Sequence, residues 1–401
     1  MGSMYARTLE PRLRALAATF PAVFLTGPRQ SGKTTLARTT FPGYYYLSLE
    51  DLQNRQEATE DPRGFLRRLE GKPGVILDEV QRAPELFSYL QGFLDEARIG
   101  PLVLTGSQHF LLSERVSQSL AGRVAILELL PLSVAELAGR PALLPEELAD
   151  PASLREKKPP MPLEDLLFRG LFPRIHDKQL DAATWLDGYL RTYIERDVRL
   201  LTNIGNLEAF SRFVALCAGR SGHLLNSSAL AAEAGVTHPT ARSWISVLQA
   251  SYIVLLLKPH HENFNKRLVK TPKLYFLDAG LLCHVLGLRR PEDVHLHPLR
   301  GAIFETFVVG ELYKAFLHHG QSAPLYFWRD SAGHEVDALL DLGTRRIPLE
   351  VKAGRTLAGD VFRGLDYYLD LAGGGTGVMV YGGDESYVRR NHLVRSWWHC
   401  G

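Results

Sequence analysis

Three stretches near the start of the chain carry residue types that handle phosphate. Gly27-Pro28-Arg29-Gln30-Ser31-Gly32-Lys33-Thr34 fits the pattern G-x-x-x-x-G-K-[ST], with Thr35 next. Glycines in such a loop let the backbone curl until several N–H groups face one anion, and a helix starting there adds its partial positive charge. Lys33 would reach the terminal phosphates of ATP, and Thr34 would ligate Mg²⁺. Downstream, the apolar run Val75-Ile76-Leu77 ends in Asp78-Glu79. Asp78 would hold the metal, and Glu79 would polarise an attacking water. Leu102-Val103-Leu104 ends in Thr105-Gly106-Ser107, where Thr105 or Ser107 would position that water. Arg123 is a candidate arginine finger for a neighbouring subunit's nucleotide, an effect worth roughly 10³–10⁵ in rate. Arg115 is its rival, and a solvated surface arginine is the alternative for both.

A second group of residues lies toward the other end. Glu305 interrupts an apolar helical stretch, 301–318, and a carboxylate there is costly unless it binds something. Asp337 sits on an expected strand, 335–340. Glu350 and Lys352 lie two apart on another, 346–352, so their side chains share a face. Asp337 and Glu350 are hard oxygen donors suited to Mg²⁺, with Mn²⁺ as a substitute. Such a metal acidifies a bound water, and Lys352 would orient it or stabilise charge on a phosphate. Glu335 is a spare carboxylate on the same face. The alternatives are an ordinary Glu350–Lys352 ion pair at a strand end, or a site kept only for binding.

A third pattern, at 227–250, reads as a helix-turn-helix. Ser227 or Ser228 would cap the first helix, Gly235-Val236 would make the turn, and Thr237 would cap the second. His238, Thr240, Arg242 and Ser243 would face DNA from the start of the second helix. Tyr252–Leu257 and Lys273–Phe276 would pair as a hairpin wing carrying Lys266, Arg267, Lys270 and Lys273. Residues 206–275 hold eight Lys or Arg against three Asp or Glu, a local excess of +5. Such a patch is an electrostatic footprint for phosphates. Protein contacts are the alternative use of a winged helix.

The elements that position these residues follow from the apolar pattern. Short apolar strands at 22–25, 75–77, 102–104 and 124–127 alternate with helices at 33–40, 65–69 and 85–97, which predicts a parallel α/β sheet. Residues 4–20 read as an amphipathic helix with Leu9, Leu13, Leu16 and Phe20 on one face. The Pro-rich stretch 139–162 reads as a loop or linker, and 163–218 as helical. From 301 the order is helix, three strands, helix, strand. The expected domains are 4–138, 139–205, 206–278 and 279–401. Glu195 and Arg199 are spaced for a helical ion pair. His260, His261, His295 and His297 read as surface residues.

Whole-chain composition sets limits. The 401 residues carry 46 Lys and Arg against 44 Asp and Glu, a net charge of +2, which excludes a polybasic, histone-like chain. Three cysteines without paired spacing exclude a disulfide framework. No apolar run reaches membrane-spanning length and no secretory signal is recognised, so a cytoplasmic location without a membrane partner is expected.

Residues 21–132 resemble an AAA+ ATPase core. The whole chain resembles a prokaryotic ATP-binding family in which that core is followed by a domain of unknown function, number 4143. The matching residues include Leu77-Asp78-Glu79-Val80-Gln81-Arg82, Leu130-Pro131-Leu132-Ser133, Phe168-Arg169-Gly170, Lys270-Thr271-Pro272-Lys273-Leu274-Tyr275 and Phe304-Glu305. The αβββαβ order with Glu305, Asp337, Glu350 and Lys352 resembles the PD-(D/E)XK nuclease superfamily. The resemblance implies a parallel-sheet P-loop core, a helical lid, a winged-helix module and a restriction-endonuclease-like domain. It further implies a homo-oligomer that hydrolyses ATP and processes duplex or branched DNA. A DNA-dependent switch without cleavage, and a defence or signalling assembly built on protein contacts, stand beside that reading.

Overall fold

The computed structural model describes residues 5–107, 120–154, 158–193, 206–261 and 268–400. Arg115, Glu195, Arg199, Lys266 and Arg267 lie outside the described residues. The chain divides into two compact units. One holds Ala6–Pro131 with Leu317–Gln321, and the other holds Leu132–Phe316 with Ser322–Gly401.

The first unit is built on a five-stranded parallel sheet of β1 (Ala22–Thr26), β2 (Tyr45–Ser48), β3 (Val75–Asp78), β4 (Leu102–Gly106) and β5 (Val124–Glu128), in the order β2-β3-β4-β1-β5. β1 is buried along its length because it is covered on both faces. Ala22 and Phe24 point into a cluster with Phe65, Leu77, Phe87 and Leu104, while Val23 and Leu25 meet Leu9, Leu13 and Leu127 on the other side. Alternation along an extended strand produces this split. Phe20, expected in the buried face of the first helix, is exposed, because that helix ends at Ala17.

The second unit contains a nine-stranded mixed sheet. Its strands are β6 (His223–Leu224), β7 (Val254–Pro259), β8 (Lys273–Phe276), β9 (Leu325–Arg329), β10 (Glu335–Asp341), β11 (Arg346–Lys352), β12 (Val378–Tyr381), β13 (Tyr387–Arg389) and β14 (His392–Ser396). Their order is β13-β14-β12-β11-β10-β9-β7-β8-β6. β7 and β8 form the expected antiparallel hairpin, and β7 also pairs in parallel with β9. The stretches 139–205, 206–278 and 279–401, expected as three pieces, fall in one unit apart from Leu317–Gln321. Helix Arg300–Leu317 packs Ile303, Phe304 and Phe307 with Ala338, Leu340, Leu349 and Val351. Helix Arg363–Ala372 packs Leu365 and Tyr368 with Trp328, Val336 and Leu339. Val336 and Leu339 share a cluster although they are three apart, because the β9–β10 register shifts between them. That irregularity contains Asp337, and bulges commonly re-aim side chains beside functional sites.

The Pro-rich stretch 139–162 is not a bare linker. Turns Pro145–Ala149 and Pro151–Ser153 are held by the fully buried Arg395 on β14, which donates Nε to Leu148 O at 2.6 Å and Nη2 to Glu147 O at 3.0 Å. Helices Ser227–Ala234 and His238–Ala250 flank Gly235, whose φ of +72° supplies the left-handed turn. The first is capped by Asn226, whose Oδ1 accepts from Ala229 N, and not by either serine. Thr237 caps the second as expected, accepting from Thr240 N. Trp244 packs edge-on against Phe210 and Phe213 of helix Leu207–Ala218, closing a three-helix cluster beside the hairpin.

Candidate functional site: a nucleotide loop and a carboxylate cleft

The loop 27–32 joins the end of β1 to helix Lys33–Thr40, which starts at the left-handed Gly32 without a side-chain cap. Its first N–H groups are thus free of capping oxygens, the arrangement that favours an anion. Gly27 has φ +144°, and a Cβ there would meet Leu129 O at 2.1 Å, so only glycine fits. Gln30 is also left-handed, with φ +63°. Pro28 is buried, Arg29 half-buried, and Gln30 and Thr35 are exposed. Ser31 Oγ is buried without a protein partner, inside the curl of the loop. Lys33 is 5% exposed and donates to Gly27 O at 2.9 Å and Pro28 O at 2.7 Å. Burial pulls its amine down to about 8, opposed by Glu79 and Asp78.

Asp78 gathers three hydroxyls. Its Oδ1 accepts from Thr34 Oγ1 at 2.8 Å and from Thr105, and its Oδ2 accepts from Tyr46 at 2.9 Å. Glu79 has φ +59°, and burial raises its carboxyl above the usual range. Gln81 Nε2 donates to Glu79 and to Ser107 Oγ, the latter at 3.1 Å, and links the acid to the end of β4. Expected residues 27–34, Asp78, Glu79 and Ser107 therefore meet at one end of the sheet. Arg123 does not join them. Its backbone carbonyl accepts from Ala22 N at the far end of β1, and its guanidinium forms a bidentate pair with Asp95. An orphaned serine hydroxyl, a lysine coordinated by loop carbonyls and a Thr34–Asp78 oxygen pair fit a phosphate chain with Mg²⁺.

Sequence reasoning missed Arg7. It is 8% exposed and donates Nη1 to Ser31 O and Nη2 to Leu130 O, each at 2.7 Å. It ties the loop to the segment that follows β5. No motif spacing marks it, since its contacts lie 24 and 123 residues away in sequence.

In the second unit Glu305, Asp337, Glu350 and Lys352 line one open cleft of about 1040 Å³, with Lys273, Arg329, Glu335, His223 and Gly364. Asp337 Oδ2 accepts from Val351 N at 2.8 Å, and Lys352 Nζ donates to Glu350 Oε2 at 3.0 Å. Burial and the adjacent Asp337 push Glu350 up to about 8. Burial and Asp337 also raise Glu305. For Lys352 burial acts downward, but Glu350 and Asp337 outweigh it and hold the amine above its ordinary range. A Cβ on Gly364 would sit 2.2 Å from Glu350 Oε1, so the helix backbone crosses against the cluster. Among the described residues no group of three or more His, Cys, Asp or Glu forms a metal cage. Asp337 and Glu350 are the oxygen donors that would take a Mg²⁺ keeping several waters, with Glu350 at present paired to Lys352.

Three expectations are corrected. Lys273, expected to face DNA, is 4% exposed and paired with Glu305 and Glu335, so its charge is spent inside the cleft. Its position on β8 faces the cleft because the hairpin is part of the same sheet. His260 is buried against Asp341 at 2.9 Å rather than solvated. His297 is half-buried, and its Nδ1 accepts from Leu299 N. His238, Arg242, Ser243 and Lys270 are exposed, and Thr240 is half-buried.

The parallel sheet, the loop and the Asp78–Glu79 pair define a P-loop ATPase domain of the AAA type, and an AAA domain model matches residues 19–138. A domain of unknown function (DUF8612) matches 162–292, and another (DUF4143) matches 300–399. The latter region thus follows an intervening domain and not the core directly. The chain is 32% identical over 353 residues to uncharacterized protein Rv2008c of Mycobacterium tuberculosis, covering 87% of this chain and 74% of that one. Uncharacterized protein Mb2031c of Mycobacterium bovis matches to the same extent. The chain belongs to the family of these mycobacterial proteins. Among solved structures it is similar to the Walker-type ATPase paby2304 of Pyrococcus abyssi, at 14% identity over 70% of this chain and 96% of that one, with a TM-score of 0.48. A RuvB structure from Thermotoga maritima is similar at 20% identity over 62% and 88%, with a TM-score of 0.32. Among the described residues no helix is long and apolar enough to cross a membrane.

Proposed function

We propose that the chain hydrolyses ATP with Mg²⁺ and couples this to binding and processing DNA, with a metal-dependent phosphodiesterase site in the C-terminal cleft. The observation that carries the proposal is the convergence of Glu305, Asp337, Glu350 and Lys352 on one cleft, in a chain with an AAA-type nucleotide site. In the nucleotide site Lys33 and the N–H groups at the start of its helix hold the phosphates. Mg²⁺, held by Thr34 and Asp78, supplies charge neutralisation when bound. Glu79 takes the proton from the attacking water, with Gln81 and Ser107 orienting it. In the cleft Asp337 and Glu350 hold Mg²⁺ or Mn²⁺, and Lys352 steadies the phosphate.

The helix-turn-helix with its hairpin has the form of a winged helix. Among the described residues, exposed His238, Arg242 and Lys270, with Thr240, are the side chains it would offer to DNA. By sequence Lys266 and Arg267 belong to the same patch. Modest charge on the second helix favours backbone contact over base readout. Assembly into a homo-oligomer is part of the proposal. Arg123 lies at the strand end away from its own loop and is paired with Asp95, so an arginine-finger role for it would be toward a neighbour's nucleotide, with a surface ion pair as the alternative.

A switch that binds DNA without cutting is the second reading. It is favoured by Lys273 and Lys352, which already neutralise carboxylates of the cleft. The test is incubation with Mg²⁺ or Mn²⁺ and linear, forked and four-way DNA, with and without ATP. Cleavage that disappears in Asp337→Ala and Glu350→Ala, and ATP turnover that disappears in Lys33→Ala, support the first reading. DNA binding without products supports the second. If ATP turnover and gel mobility ignore every DNA form, both fail.

A further inference from the structure

We infer that Lys273 is the cleft's built-in second cation, so that the site takes one divalent ion, at Asp337 and Glu350, and not a pair. The inference rests on the metal reading of the cleft proposed above. Lys273 arrives on β8, from the hairpin beside the helix-turn-helix. It reaches the carboxylates because β8, β7, β9 and β10 are consecutive in one sheet. Its side chain is 5% exposed, with Nζ 3.2 Å from Glu305 Oε1, ion-paired with Glu335 and seated over the Phe327 ring.

The neighbouring groups complete this arrangement. Tyr275, two residues along the same strand face, donates its hydroxyl to Glu305 Oε1 at 2.5 Å. The other oxygen of Glu335 pairs with Arg329 Nη1 at 3.2 Å. Glu305 and Glu335 are thus held by Lys273 and Arg329, while Glu350, beside Asp337, pairs with Lys352, whose side chain is 43% exposed against 5% for Lys273. A two-metal site needs a second ion about 3.5–4 Å from the first, held by its own carboxylates. The ammonium of Lys273 occupies that role among Glu305, Glu335 and Asp337. A second divalent ion there would meet a buried positive charge that is already paired with Glu305 and Glu335.

The experiment counts Mn²⁺ on the nucleotide-free chain by electron paramagnetic resonance. The Asp337→Asn, Glu350→Gln double variant serves as the blank for sites elsewhere. The expected result is one Mn²⁺ per chain above the blank, with an uncoupled six-line spectrum. Lys273→Met should then bind two and show exchange coupling, while Lys273→Arg should stay at one. A melting curve for each variant separates binding from unfolding. If Lys273→Met does not fold, the count on the unaltered chain and on Lys273→Arg decides. Two coupled ions in the unaltered chain overturn the inference and leave the metal reading standing. A single ion in folded Lys273→Met also overturns it. No Mn²⁺ above the blank removes the metal reading itself.

Discussion

Replacing Arg7 with methionine should loosen the phosphate loop without touching any residue that meets the nucleotide. The arginine is buried and donates two hydrogen bonds of 2.7 Å, to Ser31 O in the loop and Leu130 O beyond β5. Hydrogen bonds from a charged donor contribute about 1.5–3 kcal/mol each, so two give roughly 3–6 kcal/mol. Burial of the methionine side chain offsets about 1.5–3 kcal/mol of this. The net loss is about 1.5–3 kcal/mol, shared between unit stability and loop order. If half falls on the loop, ATP affinity drops about three- to twelve-fold, at 1.4 kcal/mol per factor of ten. Steady-state hydrolysis should show KM raised with kcat nearly kept, because the chemical groups stay in place. Melting curves should fall, and saturating nucleotide should restore part of the loss. Arg7→Lys, which keeps the charge but loses the fork, should lie between. Unchanged KM and Tm in Arg7→Met would refute the claim that this residue fixes the loop.

Other outcomes follow from the same geometry. His176 is buried with Nε2 2.8 Å from Gly170 O, and burial lowers its pKa below 6.5. The unfolded chain therefore binds a proton first, so stability should fall as pH drops below about 6.5, and His176→Gln should flatten that slope in acid melts. Gly364→Ala should displace Glu350, since the new Cβ would lie 2.2 Å from its Oε1 and 2.8 Å from Glu335 O. Mn²⁺ affinity of the cleft should drop at least tenfold, for a stability cost of about 1–3 kcal/mol, both readable by titration and melting. Arg242→Ala and Lys270→Ala should each weaken DNA binding evenly across sequences and lower the log–log salt slope by about one.

The nucleotide site was largely legible because its residues come in short contiguous motifs. Strand β1 and helix Lys33–Thr40 lie where the apolar run and the loop put them. Strand β2 escaped notice because Tyr45-Tyr46-Leu47-Ser48 sits at the sheet edge and only Leu47 is buried, so no apolar run marks it. The hairpin β13–β14 was missed for a different reason. Its second strand is wholly buried yet carries His392, Arg395 and Ser396, each hydrogen-bonded to a partner more than ten residues away. Lys273 reads as a surface lysine in any window of sequence. Its burial depends on carboxylates 32 and 62 residues downstream. The carboxylates of the cleft were legible individually, but the cations that hold them were not.

The pairing of β7 with β9 has a practical consequence for dissecting this chain. A cut near residue 278 would look reasonable from the sequence, since it separates a helix-turn-helix from a carboxylate-bearing domain. It would instead divide one sheet and strip two strands of a neighbour. Freshly bared edges of that kind recruit other strands and drive aggregation. Insoluble fragments from such a cut would report the severed sheet, and would say nothing about whether either half has an activity.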